Sequence, residues 1–255
     1  MTDLFEEVEE QLRSDRYRTM ARQFAPWVLA VLAAALVAYL AVWGWQRYQT
    51  QTADKASQEY TDALGALGQG QPEKATQLFT EISKSPAKAY RSLALMQLAA
   101  LKLEGGKPAD VQAAVALFDQ AAQAAPDDVL GDAARLKSAF AVLDTAPYKD
   151  VEARLTPLMK DGHPYRVQAR EALAFAKLMA GNTAGARDDF TVIEQTLDAP
   201  EPARQRAGAA KALIDSGSAK AVPAAAHAAA LLPPPASAIP GAELQPQPQD
   251  ASGPQ

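Results

Sequence analysis

The chain has 255 residues, a formal net charge of −5 and no cysteine. A chain without cysteine has no disulfide scaffold, no Cys-based metal site and no Cys nucleophile. An acidic chain without a clustered basic stripe is also a poor nucleic-acid binder. Hydrophobic residues make up 48% of the sequence but aromatics only 7%. Alanine supplies much of that apolar share, which favours helices over sheets.

The first 22 residues are predicted to form a short helix. Leu4, Val8 and Leu12 recur at helical spacing, and acidic residues precede the arginines, which suits the helix macrodipole. Two interpretations remain open for this segment. It is either a solvated helix that leads into the next segment or a docking helix for a cytoplasmic partner.

Residues 23–46 are predicted to be a transmembrane helix, because they contain no charged residue. At ~1.5 Å per residue this helix is about 36 Å long, enough to cross a hydrocarbon core of ~30 Å. The three tryptophans, Trp27, Trp43 and Trp45, all lie here and are expected to anchor the two membrane interfaces. A buried core helix and a cleaved signal peptide are the alternatives. The length of the apolar run and the bulky residues at its end disfavour both.

The charges beside this segment predict its orientation. Four arginines precede it within ten residues, whereas only Arg47 and Lys55 follow closely. The positive-inside rule therefore predicts a cytoplasmic N-terminus and a C-terminal bulk on the other side of the membrane.

From residue 47 to residue 216 the sequence alternates helical stretches with Gly or Pro punctuation, such as Gly70/Pro72 and Gly181/Asn182. Helices joined by turns this short are expected to pack as neighbouring hairpins. The predicted helices cover residues 47–68, 72–84, 87–104, 109–124, 128–144, 148–160, 165–180, 184–197 and 200–215.

A four-residue spacing recurs in the second helix of each predicted hairpin. A large apolar residue follows a smaller one by four positions, and the large residues are 39, 37 and 35 positions apart. The pairs are Ala75 and Phe79, Ala114 and Phe118, Val151 and Leu155, and Ala186 and Phe190. The second unit adds Ala121 and Pro126, and the fourth adds Ala174 on its first helix. This pattern resembles the tetratricopeptide repeat, in which a small residue permits close helix packing and a larger one fills the adjacent hole.

The predicted fold is therefore all-α: one transmembrane helix and a tetratricopeptide-like α-solenoid of about four hairpins. The repeat signature is incomplete, because its first-helix tryptophan is absent from every unit and Val151/Leu155 replaces the usual small and aromatic pair. A generic helical bundle is the alternative. Residues 217–255, rich in proline and alanine, are predicted to be a disordered tail that acts as a plain terminus, a spacer or a partner-binding segment.

The sequence offers little for catalysis. No catalytic, cofactor or metal site is predicted, and neither an enzymatic activity nor a small-molecule substrate is expected. His163 and His227 are isolated, and no serine or acid partner can be identified for His163 from the sequence. The Asp127–Asp128 pair is expected to cap a helix, and the Asp188–Asp189 pair is expected to face solvent.

A surface remains as the candidate functional feature. Basic and polar residues on the first helix of each hairpin could form a groove that binds an extended peptide or an acidic terminus. A weak hydrophobic groove for unfolded segments is equally compatible with the sequence. The candidate groove residues are Tyr90, Gln97, Lys102, Arg135, Lys137, Arg166, Arg170 and Lys177.

This layout resembles the bacterial family of ancillary SecYEG translocon subunits. The N-terminal pattern of Asp3, Leu4, Phe5, Val8, Glu9, Leu12, Arg13 and Arg16 is similar to the alphaproteobacterial form of that family. The resemblance implies an inner-membrane anchor, a periplasmic repeat domain, and association with the secretion channel and a periplasmic chaperone. The predicted function is thus a membrane-anchored adaptor. A structural scaffold in envelope assembly or cell division is the alternative.

Overall fold

The structure is a computed structural model that describes residues 3–105, 107–221 and 224. Within these residues the fold is all-α, with nine α-helices, two short 3₁₀ helices and no strand. The α-helices are α1 Asp3–Gly68, α2 Pro72–Ile82, α3 Lys88–Glu104, α4 Pro108–Ala124, α5 Asp128–Ala141, α6 Tyr148–Leu155, α7 Arg166–Met179, α8 Thr183–Gln195 and α9 Glu201–Asp215. The predicted all-α class is confirmed.

The turns follow from the residues that interrupt the helical pattern. Gly70 and Gly181 have φ of 70° and 77°, a left-handed conformation that glycine adopts without steric cost. Two helices begin with side-chain caps, because the Asp127 and Asn182 oxygens accept the amide N–H groups of Leu130 and Gly185, each at 3.0 Å. The predicted capping role of the Asp127–Asp128 pair is thus seen at Asp127.

The chain divides into two compact units. Unit 1 comprises residues up to Val142 together with Gly162–Tyr165, and unit 2 comprises Leu143–Asp161 and the residues from Arg166 onward. Unit 1 therefore contains α1 to α5, and unit 2 contains α6 to α9. The third predicted hairpin, α5 with α6, is divided between the units.

Within unit 1, consecutive helices pack against each other, and the alternate helices α1, α3 and α5 also meet. That is the contact pattern of stacked hairpins. One apolar cluster joins α1, α2 and α3 around Phe79, and a second joins α3, α4 and α5 around Phe118. Ser92 links α3 to α4, since its buried hydroxyl donates to the Ala121 carbonyl at 2.9 Å.

Unit 2 has the same kind of core. Ala174 and Leu178 on α7 pack with Ala186, Phe190 and Ile193 on α8, and small residues of α9 close the cluster. The rings of Phe175 and Phe190 meet edge to face, with centroids 5.3 Å apart.

Among the C-terminal ends of the helices, the largest difference from the sequence expectation is in α6, and a further difference lies at the start of the proposed tail. Residues 148–160 were expected to form one helix, but α6 ends at Leu155 and a 3₁₀ turn covers Thr156–Met159. Pro157 explains this ending, because proline lacks the amide N–H that an α-helix requires and clashes with the preceding turn. At the other boundary, Ser218–Ala221 forms a second 3₁₀ turn, and Ala219 is buried in the unit 2 core. Apart from Gly217 and Ala224, the rest of the proposed tail, including His227, lies outside the described residues.

Helix α1 is continuous over 66 residues and passes through Pro26 without a break. It therefore joins the three segments that the sequence divides at residues 22 and 46. Its stretch Leu29–Gly68 contains an 18-residue window of mean hydropathy 1.8, none of which is buried. Trp27, Trp43 and Trp45 are all exposed. This helix is long and apolar enough to cross a membrane.

Candidate protein-binding groove

The residues proposed for repeat packing are mostly core residues. Nine of them are buried: Ala75, Phe79, Ala114, Phe118, Ala121, Leu155, Ala174, Ala186 and Phe190. Pro126 is exposed, in the turn between α4 and α5. Each buried alanine allows a neighbouring helix to approach, and the larger residue one turn later fills the space beside it.

The proposed groove residues of unit 1 fall into two separate groups. The Tyr90 ring lies 6.0 Å from the Tyr60 ring, and the Gln97 side-chain amide donates to the Tyr60 hydroxyl at 3.1 Å. Tyr90 and Gln97 therefore converge on one tyrosine of α1. Arg135 lies elsewhere and pairs with Asp132 at 2.8 Å.

In unit 2 the proposed groove arginines are already engaged by carboxylates. Arg166 pairs with Asp198 and lies 3.7 Å from Asp161. Arg170 donates to Asp189 at 3.1 Å. Arg166 and Arg170 do line one small cavity of about 180 Å³. Because their charges are neutralised within the fold, this cavity is a weak site for an acidic ligand.

Asp189 corrects one expectation. The Asp188–Asp189 pair was expected to face solvent, but Asp189 is buried beneath Arg170 and Lys177, whose ammonium group lies 2.6 Å from the carboxylate. That prediction is wrong for Asp189, since a buried carboxylate needs cationic partners and α7 supplies two of them. Asp188 is exposed as expected.

His163 has an acid partner that the sequence does not reveal. Its Nδ1 lies 2.6 Å from an oxygen of Asp132, whose side chain is fully buried. The other Asp132 oxygen accepts from Arg135. Because Asp132 lies between two basic side chains, its carboxylate is suited to a structural role, in which it links these side chains within unit 1.

Tyr148 illustrates the electrostatics of unit 2. Burial, together with its hydrogen bond to Glu152 at 2.7 Å, raises the pKa of Tyr148 to about 12. Its hydroxyl is therefore a proton donor at neutral pH.

Among the residues that the structure describes, no group of three or more His, Cys, Asp or Glu side chains is placed to hold a metal ion.

One apolar surface lies in unit 1, between α2, α3 and α4. We call it the leucine groove, a cavity of about 400 Å³, within the ~300–1,000 Å³ typical of binding pockets. Its lining residues are Thr76, Thr80, Ser83, Leu95, Leu98, Leu101, Lys102, Leu117 and Gln120.

The hydroxyl groups in this groove are turned toward their own helix. Thr76, Thr80 and Ser83 donate to the carbonyls of Pro72, Thr76 and Thr80 at 2.7–2.8 Å. Because these protons are already used, the wall offers methyl groups and acceptor oxygens to a ligand. The groove therefore suits apolar side chains.

The charge at the groove is positive. Lys102 is exposed at its edge, and none of the residues that line it is acidic. An apolar segment that carries a neighbouring carboxylate fits this combination of leucines and one ammonium group. Sequence reasoning identified Lys102 but missed the leucines. Their signal is the three-residue spacing of Leu95, Leu98 and Leu101 along α3.

Hairpins that stack through small residues and leave an apolar groove define a helical-repeat protein of the interaction type. The family model for the tetratricopeptide repeat-like domain matches residues 19–207, and the chain belongs to this family. A domain of this class suggests protein–protein interaction. No curated protein and no solved structure matches the chain.

Proposed function

We propose that this protein is a membrane-anchored adaptor whose repeat domain binds protein partners through the leucine groove. The observation that carries the proposal is the groove itself. Leu98, Leu101 and Leu117 are only partly buried there, although they lie next to fully packed core residues. Apolar side chains left open to water in a concave surface are typical of binding sites.

Helix α1 supports the membrane anchor. Its apolar side chains from Leu29 to Trp45 are exposed around the helix, and none of its most apolar window is covered by the rest of the chain. A helix that is apolar on all sides is stable only when lipid or protein covers it. With the arginines before this segment, the proposed orientation places the N-terminus in the cytoplasm and the repeat domain in the periplasm. The N-terminal 22 residues are then a short cytoplasmic helix.

The proposed partners are subunits of the secretion channel and a periplasmic chaperone. This assignment rests on the resemblance of the N-terminal residues to the ancillary translocon subunits. An adaptor at the channel exit needs an apolar surface that is held close to the membrane, and the leucine groove follows α1 directly in the chain. Catalysis and small-molecule binding form no part of the proposal.

Copurification tests the groove. The two changes Thr80→Arg and Gln120→Arg fill its rim at exposed positions, without touching the core. The matched control is Gln77→Arg with Gln112→Arg, which adds the same charge at exposed positions of α2 and α4 outside the groove. We expect the rim variant to recover at least about tenfold less channel subunit from solubilised native membranes than the control variant does.

Two outcomes would contradict the proposal. Equal recovery of channel subunits by both variants would exclude the leucine groove as the binding site for these subunits. Recovery of peptidoglycan-synthesis proteins in place of channel subunits would favour the envelope scaffold. A reporter fused after Gln255 tests the orientation separately, and activity only in the cytoplasm would contradict it.

A further inference from the structure

A second cavity lies where α1 meets the repeat domain. We call it the juxtamembrane cavity, and its volume is about 570 Å³. Three segments of unit 1 surround it: the stretch of α1 from Trp45 to Ala53, the chain from Pro86 to Tyr90, and the turn at Pro126. It is separate from the leucine groove and shares no lining residue with it.

The position of this cavity relative to the membrane follows from the continuous helix α1. If α1 crosses the membrane as proposed above, the hydrocarbon core ends near Gln46, after which Arg47 is the first charged residue. The nine residues from Trp45 to Ala53 span eight helical steps, a rise of about 12 Å, and the headgroup layer on each side is roughly 5–8 Å thick. The cavity therefore opens at the level of the lipid headgroups.

The aromatic residues of the cavity suit that level. Trp45 and Tyr48 are 63% and 52% exposed, and their ring centroids lie 6.2 Å apart. Amphipathic rings of this kind accumulate where apolar chains meet polar headgroups. Tyr90 also lines the cavity, and its ring centroid lies 6.0 Å from that of Tyr60.

The charge of the cavity walls differs from that of the whole chain. The chain carries a net charge of −5, whereas Lys88 is the one charged residue among those that line the cavity. The flanking segments 45–53 and 84–91 add Arg47, Lys84 and Arg91 and no acidic residue, and Asp127 and Asp128 follow Pro126. The first acid after Trp45 along α1 is Asp54, one position beyond the cavity. Lys88 lines the cavity and is exposed. Each basic residue next to a membrane raises the affinity for anionic lipids by a factor of about five.

We propose that the juxtamembrane cavity binds the headgroup of an anionic phospholipid. Lys88 pairs with the lipid phosphate, and Trp45 and Tyr48 lie against the glycerol backbone and the upper acyl chain. Such a lipid would fix the first hairpin of the repeat domain close to the membrane surface. The inference rests on the proposed membrane anchor.

Photocrosslinking of the full chain tests the site. A benzophenone amino acid replaces Ala89 in the cavity wall or, as a control, Thr80 in the leucine groove. The protein is reconstituted in vesicles of phosphatidylcholine alone or of an equimolar mixture with phosphatidylglycerol. We expect ultraviolet light to add the mass of one phosphatidylglycerol at position 89 and none at position 80. Lys88 is exposed, and the change Lys88→Glu should lower the yield of this adduct at least about fivefold. The matched change Lys102→Glu should leave the yield unchanged.

The outcomes separate the two claims. A chain that does not remain with the vesicles after alkaline extraction contradicts the membrane anchor. A chain that remains with the vesicles but gives no lipid adduct at position 89, or the same yield in both vesicle types, overturns the lipid site alone. Adducts from position 89 to residues 222–255 or to a second copy of the chain would also overturn it.

Discussion

The imidazole of His163 lies 2.6 Å from the carboxylate of Asp132, although the two residues are 31 positions apart in the chain. This contact attaches the Gly162–Tyr165 segment to α5 within unit 1. The Asp132 side chain has no solvent exposure, whereas Arg135 and His163, its two partners, are partly exposed. Asp132 is thus a buried acid whose desolvation is offset by two basic groups.

Replacement of Asp132 by alanine should destabilise unit 1. The change Asp132→Ala removes the shared acceptor of Arg135 and His163, and we expect a loss of about 1–3 kcal/mol in the free energy of unfolding. Urea denaturation of the full chain in detergent measures it. The control Asp128→Ala alters an exposed acid in the same helix and should cost about 0.5 kcal/mol or less. Equal midpoints for the two variants would show that the Asp132 contacts contribute little.

The aromatic residues of the repeats should account for much of the core stability. Phe79 and Phe190 have no solvent exposure, so Phe79→Ala and Phe190→Ala should each cost about 3–5 kcal/mol. Phe140 is 48% exposed on α5, and Phe140→Ala should cost about 1 kcal/mol or less. Thermal unfolding followed by circular dichroism gives the comparison. A loss for Phe140→Ala as large as for the other two would contradict the assignment of the core.

The small residues should resist enlargement. Ala114 is fully buried on α4, where α3 approaches closely, so Ala114→Leu forces the helices apart. We expect this change to cost about 1–3 kcal/mol. Ala116, two positions later, is exposed, and Ala116→Leu should be nearly neutral. A stable Ala114→Leu variant with an unchanged urea midpoint would argue against close packing at this position.

Stability should fall in acid, in part through Asp198 and Asp215. Hydrogen bonds from Arg166 and Arg187 lower the pKa of Asp198 and of Asp215, respectively, below the ordinary value of 3.8. The unfolded chain then binds protons more readily than the folded chain. The contribution of these pairs is therefore present above pH ~4 and disappears as the pH falls through the folded-state pKa values.

The variant with Asp198→Asn and Asp215→Asn should show a shallower loss of stability below pH 4 than the wild type. Urea midpoints measured at several pH values, at low ionic strength, test this expectation. Asp62→Asn, at an exposed position of α1, is the control and should follow the wild-type curve. A double variant whose curve is as steep as that of the wild type would exclude these two pairs as the source.

The sequence alone predicts the helices well, because their ends depend on local chemistry. Gly70 and Gly181 end helices through left-handed turns, and Asp127 and Asn182 start helices through side-chain caps. The pairing of small and large residues four positions apart also depends on one helix at a time. Pro157 was the missed local signal, since α6 ends five residues before the predicted helix does.

The surfaces depend on contacts that are distant in sequence. Asp132 meets His163, and Glu171 accepts two hydrogen bonds from Arg206, at 2.6 and 2.8 Å, across 35 positions. No spacing rule gives such partners. For the same reason Arg166 and Arg170 were expected to be open to a ligand but are paired with acids. The leucine groove depends on which face of α3 its neighbours leave uncovered. The spacing of the leucines marks an apolar face of α3, but it does not tell whether a neighbouring helix covers that face.

The most direct test of the account is crosslinking from the leucine groove in native membranes. A benzophenone amino acid replaces Thr80 inside the groove or Gln77 outside it on the same helix. We predict an adduct with a secretion-channel subunit from position 80 and not from position 77, and its loss when Gln120→Arg narrows the groove. Equal crosslinking from both positions, or an adduct from position 80 that persists with Gln120→Arg, would contradict protein binding through this groove.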